Sequence, residues 1–327
     1  MQRTADYDFE LPDDLIARHP APQREGSRML VLDRGTGSVA HRSFADLPAY
    51  LRPTDLVVLN DSRVIRARLR AETFNGELLL LEALDPDSLC WLALVRPGRR
   101  WRAGAAAHVA GQTVRVESVL DSGERVVRFE RPPDLERHGE IPLPPYLRRA
   151  GEASDAERYQ TVYARHDGSV AAPTAGLHFT PEMLAQLNHA FVTLHVGPGT
   201  FRPVEVEDIS AHAMHEERFE LGPETAARIN SAQRVLAVGT TSVRVIETCA
   251  NPAGVVHPRV GRTAIFIHPP HSFRRVGALL TNFHLPHSTL LMLVCAFAGY
   301  DPAMQAYREA VRERYRFYSY GDCMLII

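Results

Sequence analysis

Lysine is missing from this sequence: all 37 basic residues among its 327 are arginine. Schiff-base chemistry and a lysine general base are therefore excluded. Cysteine is scarce. Cys90, Cys249, Cys295 and Cys323 are scattered with no C-x-x-C pair, which argues against a disulfide framework and a structural zinc site. A reducing cytoplasm fits that usage best. No apolar run approaches the roughly 20 residues of a membrane span; the best, Leu290 to Ala298, is under half that. The N-terminus MQRTADYDFELPDD is acidic and lacks a hydrophobic segment, so no secretory signal is expected. There is no G-x-x-x-x-G-K-[ST] and no G-x-G-x-x-G after a strand, so neither a P-loop nor a Rossmann cofactor site has support. H-E-x-x-H is absent, and His212 and His215 have no obvious third ligand, so no metal is expected.

What is present reads as an ordinary soluble globular chain, 45% hydrophobic and 23% charged, long enough for about two domains. From about residue 67 to 131, short apolar runs alternate with turn signals: ELLLLEAL ends at DPDS, LCWLALV at RPGRR, TVRVESVL at DSGE. TVRVE and RVVRF alternate with period two, so this stretch is expected to form a small antiparallel β-barrel or sandwich. The proline-bearing HGEIPLPPYLRRA is expected to be an extended connector back to the main domain. After residue 170, strand–loop–helix units follow: FVTLHV into GPGTFRP, RVLAV into GTTS and then a helical VRVIETC, and ALL into TNFHLPHST and a helix. That pattern predicts an α/β domain whose site lies at the carboxyl ends of its strands. The expected organisation is a main domain in two parts, 1–66 and 151–327, interrupted by an inserted β domain and its connector at 67–150.

Polar side chains gather at those strand ends. In TNFHLPHST, Ser288 or Thr289 can cap the helix; Asn282 and His284 precede the cap and are left for function. In AVGTTSVRVIE, Gly239 follows a strand, Ser242 can cap the next helix, and Arg244 adds a charge one turn in. Such a helix start suits an anion. His178 sits between an Ala/Gly-rich loop and a helix near Thr180. His195, inside an apolar strand, reads as a satisfied core residue rather than a catalyst. Glu217 or His215 of AHAMHEERFEL is an acid/base or ligand-binding candidate. Tyr318 and Tyr320 of YRFYSYGD can stack on a base or cover the core. The arginines cluster as RVIRARLR, RPGRRWR and YLRRA, which is either solvated surface or a phosphate-binding track.

Taken in order, NDSRVIRARL, HGEIPLPPYL, GSVAAPTAGLHFT, LHVGPGTFRPV, MHEERFEL, AVGTTSVRVIE, TNFHLPHSTLLMLVCAFAG and YRFYSYGDCMLI resemble the S-adenosylmethionine:tRNA ribosyltransferase-isomerase family of queuosine biosynthesis, over nearly the whole chain. The resemblance implies a TIM-barrel-like α/β main domain interrupted by a small antiparallel β-barrel. It implies transfer and isomerisation of the ribosyl moiety of S-adenosylmethionine onto a 7-aminomethyl-7-deazaguanine at the tRNA wobble position, giving epoxyqueuosine, adenine and methionine. S-adenosylmethionine is a co-substrate, and no cofactor or metal is implied. The partner is a tRNA with a GUN anticodon; a cytoplasmic monomer is expected. Three positions depart from the family pattern: Arg66 for Pro, His287 for Lys and Cys323 for Ala.

The reaction needs a base for the carbon beside the sulfonium, an acid or strong hydrogen bond for the leaving adenine, an anion site for the methionine carboxylate, and a basic track for RNA. On the resemblance, His178, His284 and Glu217 are the acid/base candidates, in no fixed order. Thr240, Thr241, Arg244 and Asn282 are expected to bind carboxylate or ribose, Asp61 and Arg63 either substrate, and Arg96, Arg99 and Arg148 the RNA backbone. A sugar-processing hydrolase and a non-catalytic RNA-binding protein are the alternatives.

Overall fold

The computed structural model describes residues 3–201 and 204–327. In chain order, β1 (Arg28–Leu32), β2 (Val39–Ser43), β3 (Asp55–Asn60) and β4 (Ser62–Val64) precede the insertion. The insertion holds β5 (Arg68–Ala71), β6 (Gly76–Ala83), β7 (Cys90–Arg96), β8 (Ala106–Val109), β9 (Gln112–Val119) and β10 (Arg125–Phe129). A short helix α1 (Leu135–His138), the proline-bearing connector and α2 (Asp155–Arg158) lead back. Then come β11 (His166–Ser169), α3 (Pro181–Ala185), β12 (His189–Leu194), β13 (Glu217–Leu221), α4 (Pro223–Ser231), β14 (Arg234–Val238), α5 (Gly239–Cys249), β15 (Arg259–Thr263), β16 (Val276–Asn282), α6 (Thr289–Ala298), α7 (Tyr300–Arg312) and β17 (Cys323–Ile326).

The six inserted strands close into an antiparallel barrel in the order β10-β7-β6-β5-β8-β9. Period two makes it close around a core. In β9, Val114 and Val116 point inward while Arg115 stays out; in β10, Val127 and Phe129 do the same around Arg128. Trp91 and Trp101 fill the centre. At the base, the main chains of Arg68 and Glu140 bridge, and the Glu140 carboxylate takes both Nε and Nη2 of Arg70 at 2.8 and 3.0 Å.

The main domain is a nine-stranded sheet in the order β15-β13-β12-β3-β14-β16-β17-β1-β2. Its central strands are continuous apolar runs because both faces are covered. Val235 and Ala237 of β14 face a core shared with α5, α6 and α7, whereas Leu236 and Val238 face Phe44, Phe179 and Leu184. β3 and β16 split their residues the same way. The architecture is thus α/β with an inserted antiparallel β-barrel. It departs from eight repeated β/α units in one respect. β2, β13, β15 and β17 join antiparallel, so the sheet is mixed and its strand order has two ends. β12, β3, β14 and β16 are mutually parallel neighbours, which brings their carboxyl ends to one edge.

Candidate active site

At that edge, the segments after β14 and β16 enclose a small hollow of about 40 Å³. Thr240, Thr241, Asn282 and His284 line it together with Pro173 and Tyr318. Gly239 turns the chain out of β14 with φ +81°, a conformation that glycine adopts without strain. α5 begins there, four residues earlier than a Ser242 cap would allow. Ser242 instead donates back to the Val238 carbonyl at 2.8 Å, and no side chain caps α5. The first N–H groups of α5 are open donors at the positive end of the helix dipole. The Thr241 hydroxyl beside them is buried without a hydrogen-bond partner among the described residues. α6, by contrast, is capped: Ser288 Oγ accepts from the Leu291 N–H at 3.2 Å.

Asn282 lines the hollow, but its amide is already committed. Nδ2 donates to the Tyr318 and Ser319 carbonyls at 2.9 and 3.1 Å, and this fixes Oδ1 as the atom 2.9 Å from His178 Nε2. A carbonyl oxygen only accepts, so His178 donates through Nε2–H. Nδ1 then takes the Ser27 hydroxyl at 3.0 Å. Both ring nitrogens are occupied, and burial holds the pKa of this imidazole below its ordinary value. In this structure both ring nitrogens of His178 and both amide hydrogens of Asn282 are thus engaged within the protein. Together they clamp the turn carrying Tyr318, whose φ of +77° is unusual for a bulky residue.

His284 is the histidine that reaches the hollow. Its Nε2 lies 2.8 Å from Thr281 Oγ1 and its backbone N–H donates to the Tyr307 hydroxyl. Burial pushes its pKa down to about 3, so it is a neutral imidazole. His287 stands at φ +58° with Nε2 3.4 Å from Asp8, about two-fifths exposed and outside the hollow.

Glu217, the first residue of β13, borders two further cavities. One of about 330 Å³ lies against His212, Met214 and Thr289; the other, of about 210 Å³, runs between the main domain and the barrel. Val196 lines both the second cavity and the hollow. Gly199, His215 and Glu217 line both larger cavities, and Thr289 of the first is the sequence neighbour of Leu290 of the hollow. Glu217 is buried. It accepts the Gly197 N–H at 3.0 Å and forms an ion pair with Arg244. Arg244 lies off the hollow, fully buried. Its Nη1 pairs with Glu217, while its Nε and Nη2 find no partner among the described residues. Arg202 and Pro203, from the GPGTFRP stretch, lie outside the described residues.

Asp61 and Arg63 are not brought to this site. Asp61 faces a separate groove, accepting from Thr193 Oγ1 at 2.7 Å with His166 3.5 Å away. Burial raises its pKa. Arg63 is exposed beside Asp167. They diverge because β4 turns away to pair with β11. Arg96 and Arg99 are exposed on the barrel, and Arg99 shares a shallow depression with Arg100 and Arg102. Arg148 is exposed on the main-domain side and tied to Asp13 at 3.0 Å. Arg66 pairs with Glu136 at 3.4 Å, and Cys323 is buried in β17. One lining residue escapes the sequence reading. His195 lines the barrel-facing cleft instead of the core. Tyr318 lines the hollow, whereas Tyr320 is spent on Asp155. An apolar strand around His195 gave no sign that the strand ends one residue earlier.

A family profile described as queuosine biosynthesis protein matches residues 4–326. The chain is 51% identical to the S-adenosylmethionine:tRNA ribosyltransferase-isomerase of Symbiobacterium thermophilum, with 99% of this chain and 100% of that protein aligned. It is 50% identical to the protein of the same name from Anaeromyxobacter dehalogenans, over 99% of each. Among solved structures, it is similar to the S-adenosylmethionine tRNA ribosyltransferase of Thermotoga maritima. That match has 38% identity and a TM-score of 0.57, over 98% of this chain and 100% of the other.

Proposed function

Because this chain belongs to the S-adenosylmethionine:tRNA ribosyltransferase-isomerase family of queuosine biosynthesis, we propose that its site transfers and isomerises the ribosyl moiety of S-adenosylmethionine onto the 7-aminomethyl-7-deazaguanine of a tRNA. Epoxyqueuosine, adenine and methionine are the products. The observation that carries the residue assignment is the convergence of Thr240, Thr241 and His284 on one hollow, with Glu217 lining the two neighbouring cavities.

The hollow is sized for the end of a ligand, not for a nucleoside. The methionine carboxylate fits it, received by the uncapped N–H groups of α5 and the unpartnered Thr241 hydroxyl. The remainder of the donor extends into the larger space beside Glu217. Glu217 is the base for the carbon next to the sulfonium, whose positive charge acidifies that C–H. Arg244 and the Gly197 N–H hold its carboxylate in place. His284, neutral and backed by Thr281, supplies a hydrogen bond to the departing adenine. His178 and Asn282 act through the Tyr318 turn. No metal or cofactor is assigned, since S-adenosylmethionine is itself consumed. The exposed Arg99 and Arg96 guide the RNA backbone, and Arg148 contributes only if it leaves Asp13. The finer expectations are a GUN anticodon, a monomer and the cytoplasm.

The comparisons favour this reading over a sugar hydrolase or an RNA-binding protein without chemistry. Incubation with deazaguanine-containing tRNA and S-adenosylmethionine tests it. Nucleoside mass spectrometry should show the epoxyqueuosine mass with one adenine released per nucleoside converted. Unchanged tRNA would count against it.

A further inference from the structure

The barrel-facing cleft contains a histidine with an unusual arrangement. His195 follows β12, and its backbone N–H donates to the Arg218 carbonyl at 2.9 Å. Its Nδ1 is buried with no hydrogen-bond partner among the described residues. Gly168, at φ +138°, covers that edge so closely that a Cβ there would lie 2.8 Å from Nδ1. A buried N–H without an acceptor costs more than a buried lone pair. The tautomer that fits has the lone pair on Nδ1 and the proton on Nε2. A second proton would have to go onto the sealed Nδ1. Burial, reinforced by Arg218, accordingly holds the pKa at about 4. Among the described residues Nε2 has no hydrogen-bond partner, and His195 belongs to the wall of the cleft. His195 thus points a permanent, uncharged N–H donor into this space.

The rest of the wall is unbalanced in charge. Glu82 of the barrel and Glu216 and Glu217 of the main domain, with Glu124 at the rim, face Arg218 and Arg262. Glu82 and Glu216 pair with Arg218 and Arg262, and Glu217 pairs with Arg244; four carboxylates against three guanidiniums leave one net negative charge, which favours a cation. The opposite walls belong to β6 of the barrel and β13 of the main domain.

We propose that this cleft receives the extruded base, with His195 Nε2–H donating to its ring carbonyl oxygen and the acidic wall holding its aminomethyl ammonium. The proposal rests on the family reading. A 7-aminomethyl-7-deazaguanine displays the two groups side by side on one edge: a carbonyl acceptor and a cationic arm. Unmodified guanine has the carbonyl but no arm.

The test compares H195F and H195L, which remove the donor, with H195Q, whose amide nitrogen reaches about as far as Nε2. Thermal melts confirm that each variant is folded, and H195L serves if H195F does not fold. For precursor tRNA, the donor-free variants should lose about tenfold or more in kcat/KM, the worth of one buried hydrogen bond, while H195Q stays within about threefold of wild type. Binding of S-adenosylmethionine alone should be unchanged in all three. The H195Q-to-wild-type ratio should also be constant across neutral pH, because the donor does not titrate. Equal loss in H195Q and H195F would overturn the proposal, since proton transfer or ring packing would then be the role. No loss in any variant, or loss confined to S-adenosylmethionine binding, would overturn it as well. A wild-type enzyme that releases no adenine from S-adenosylmethionine and precursor tRNA would instead bring down the family reading.

Discussion

His178 and His284 show how differently two buried residues of one type can be engaged. His178 has both nitrogens engaged, and in the proposed mechanism it acts through Asn282. H178Q keeps a donor near Nε2, whereas H178A removes it and leaves Asn282 Oδ1 unsatisfied. H178A should therefore reduce kcat/KM by tenfold or more and lower stability by about 1–3 kcal/mol, and H178Q should recover most of both. Steady-state kinetics beside urea melts check this; equal loss of turnover in the two variants would restore a proton-transfer role. His284 makes a different prediction. Its pKa of about 3 in the folded protein lies below the ordinary histidine value. Between those values the unfolded chain takes a proton that the native protein refuses, so the contribution to stability is intact above about pH 6.5 and falls away as pH drops toward 3. The cost is about 2 kcal/mol between pH 7 and pH 5. Urea unfolding of H284Q at the two pH values should show that much less acid sensitivity than wild type.

At the level of elements, the start of α5 is where folding and function pull apart. The Thr241 hydroxyl is buried without a partner among the described residues, an arrangement that costs stability in the empty protein. T241V has the same shape and no polar atom. Its melting temperature should equal or exceed that of wild type, while KM for S-adenosylmethionine rises about tenfold, the loss of one hydrogen bond to a charged group. Unchanged KM would remove Thr241 from the carboxylate site. This element also shows what the sequence made legible. RVLAV followed by GTTS announces a buried strand turning into a helix at a glycine, and ALLTNFHLPHST does the same for β16 and α6. Period two in TVRVE and RVVRF likewise gave the barrel its inward faces. MHEERFEL was harder. Its acidic and histidine residues suggested a ligand motif, yet Glu217–Leu221 is a strand inserted between β12 and β15. Only that antiparallel pairing sets Glu217 beside Arg244. The same limit explains Asp61 and Arg63: adjacency in NDSR says nothing about which side of the sheet each residue faces once β4 pairs with β11.

Across the whole molecule, the barrel and the main domain are joined around the cleft by charge. Glu82 on β6 takes Arg262 at 3.0 Å and Arg218 at 3.3 Å. Farther out on the barrel, Arg99, Arg100 and Arg102 share one open depression, and none has an ion-pair partner among the described residues. Replacing all three with alanine should leave stability unchanged and weaken tRNA binding uniformly. The slope of log Kd against log salt should fall by about 2, since each lost phosphate contact removes roughly 0.7–0.9. An unaltered slope would place the RNA elsewhere. The central claim is that a sulfonium donor and an extruded base meet where the hollow, the Glu217 cavity and the barrel-facing cleft join. A structure of the complex with S-adenosylmethionine and an anticodon stem-loop carrying 7-aminomethyl-7-deazaguanine measures this directly. The account predicts the methionine carboxylate at the start of α5, the carbon beside the sulfonium within contact distance of Glu217, and the base in the cleft next to His195. A donor bound outside these three spaces, or a base seated away from the cleft, would contradict it.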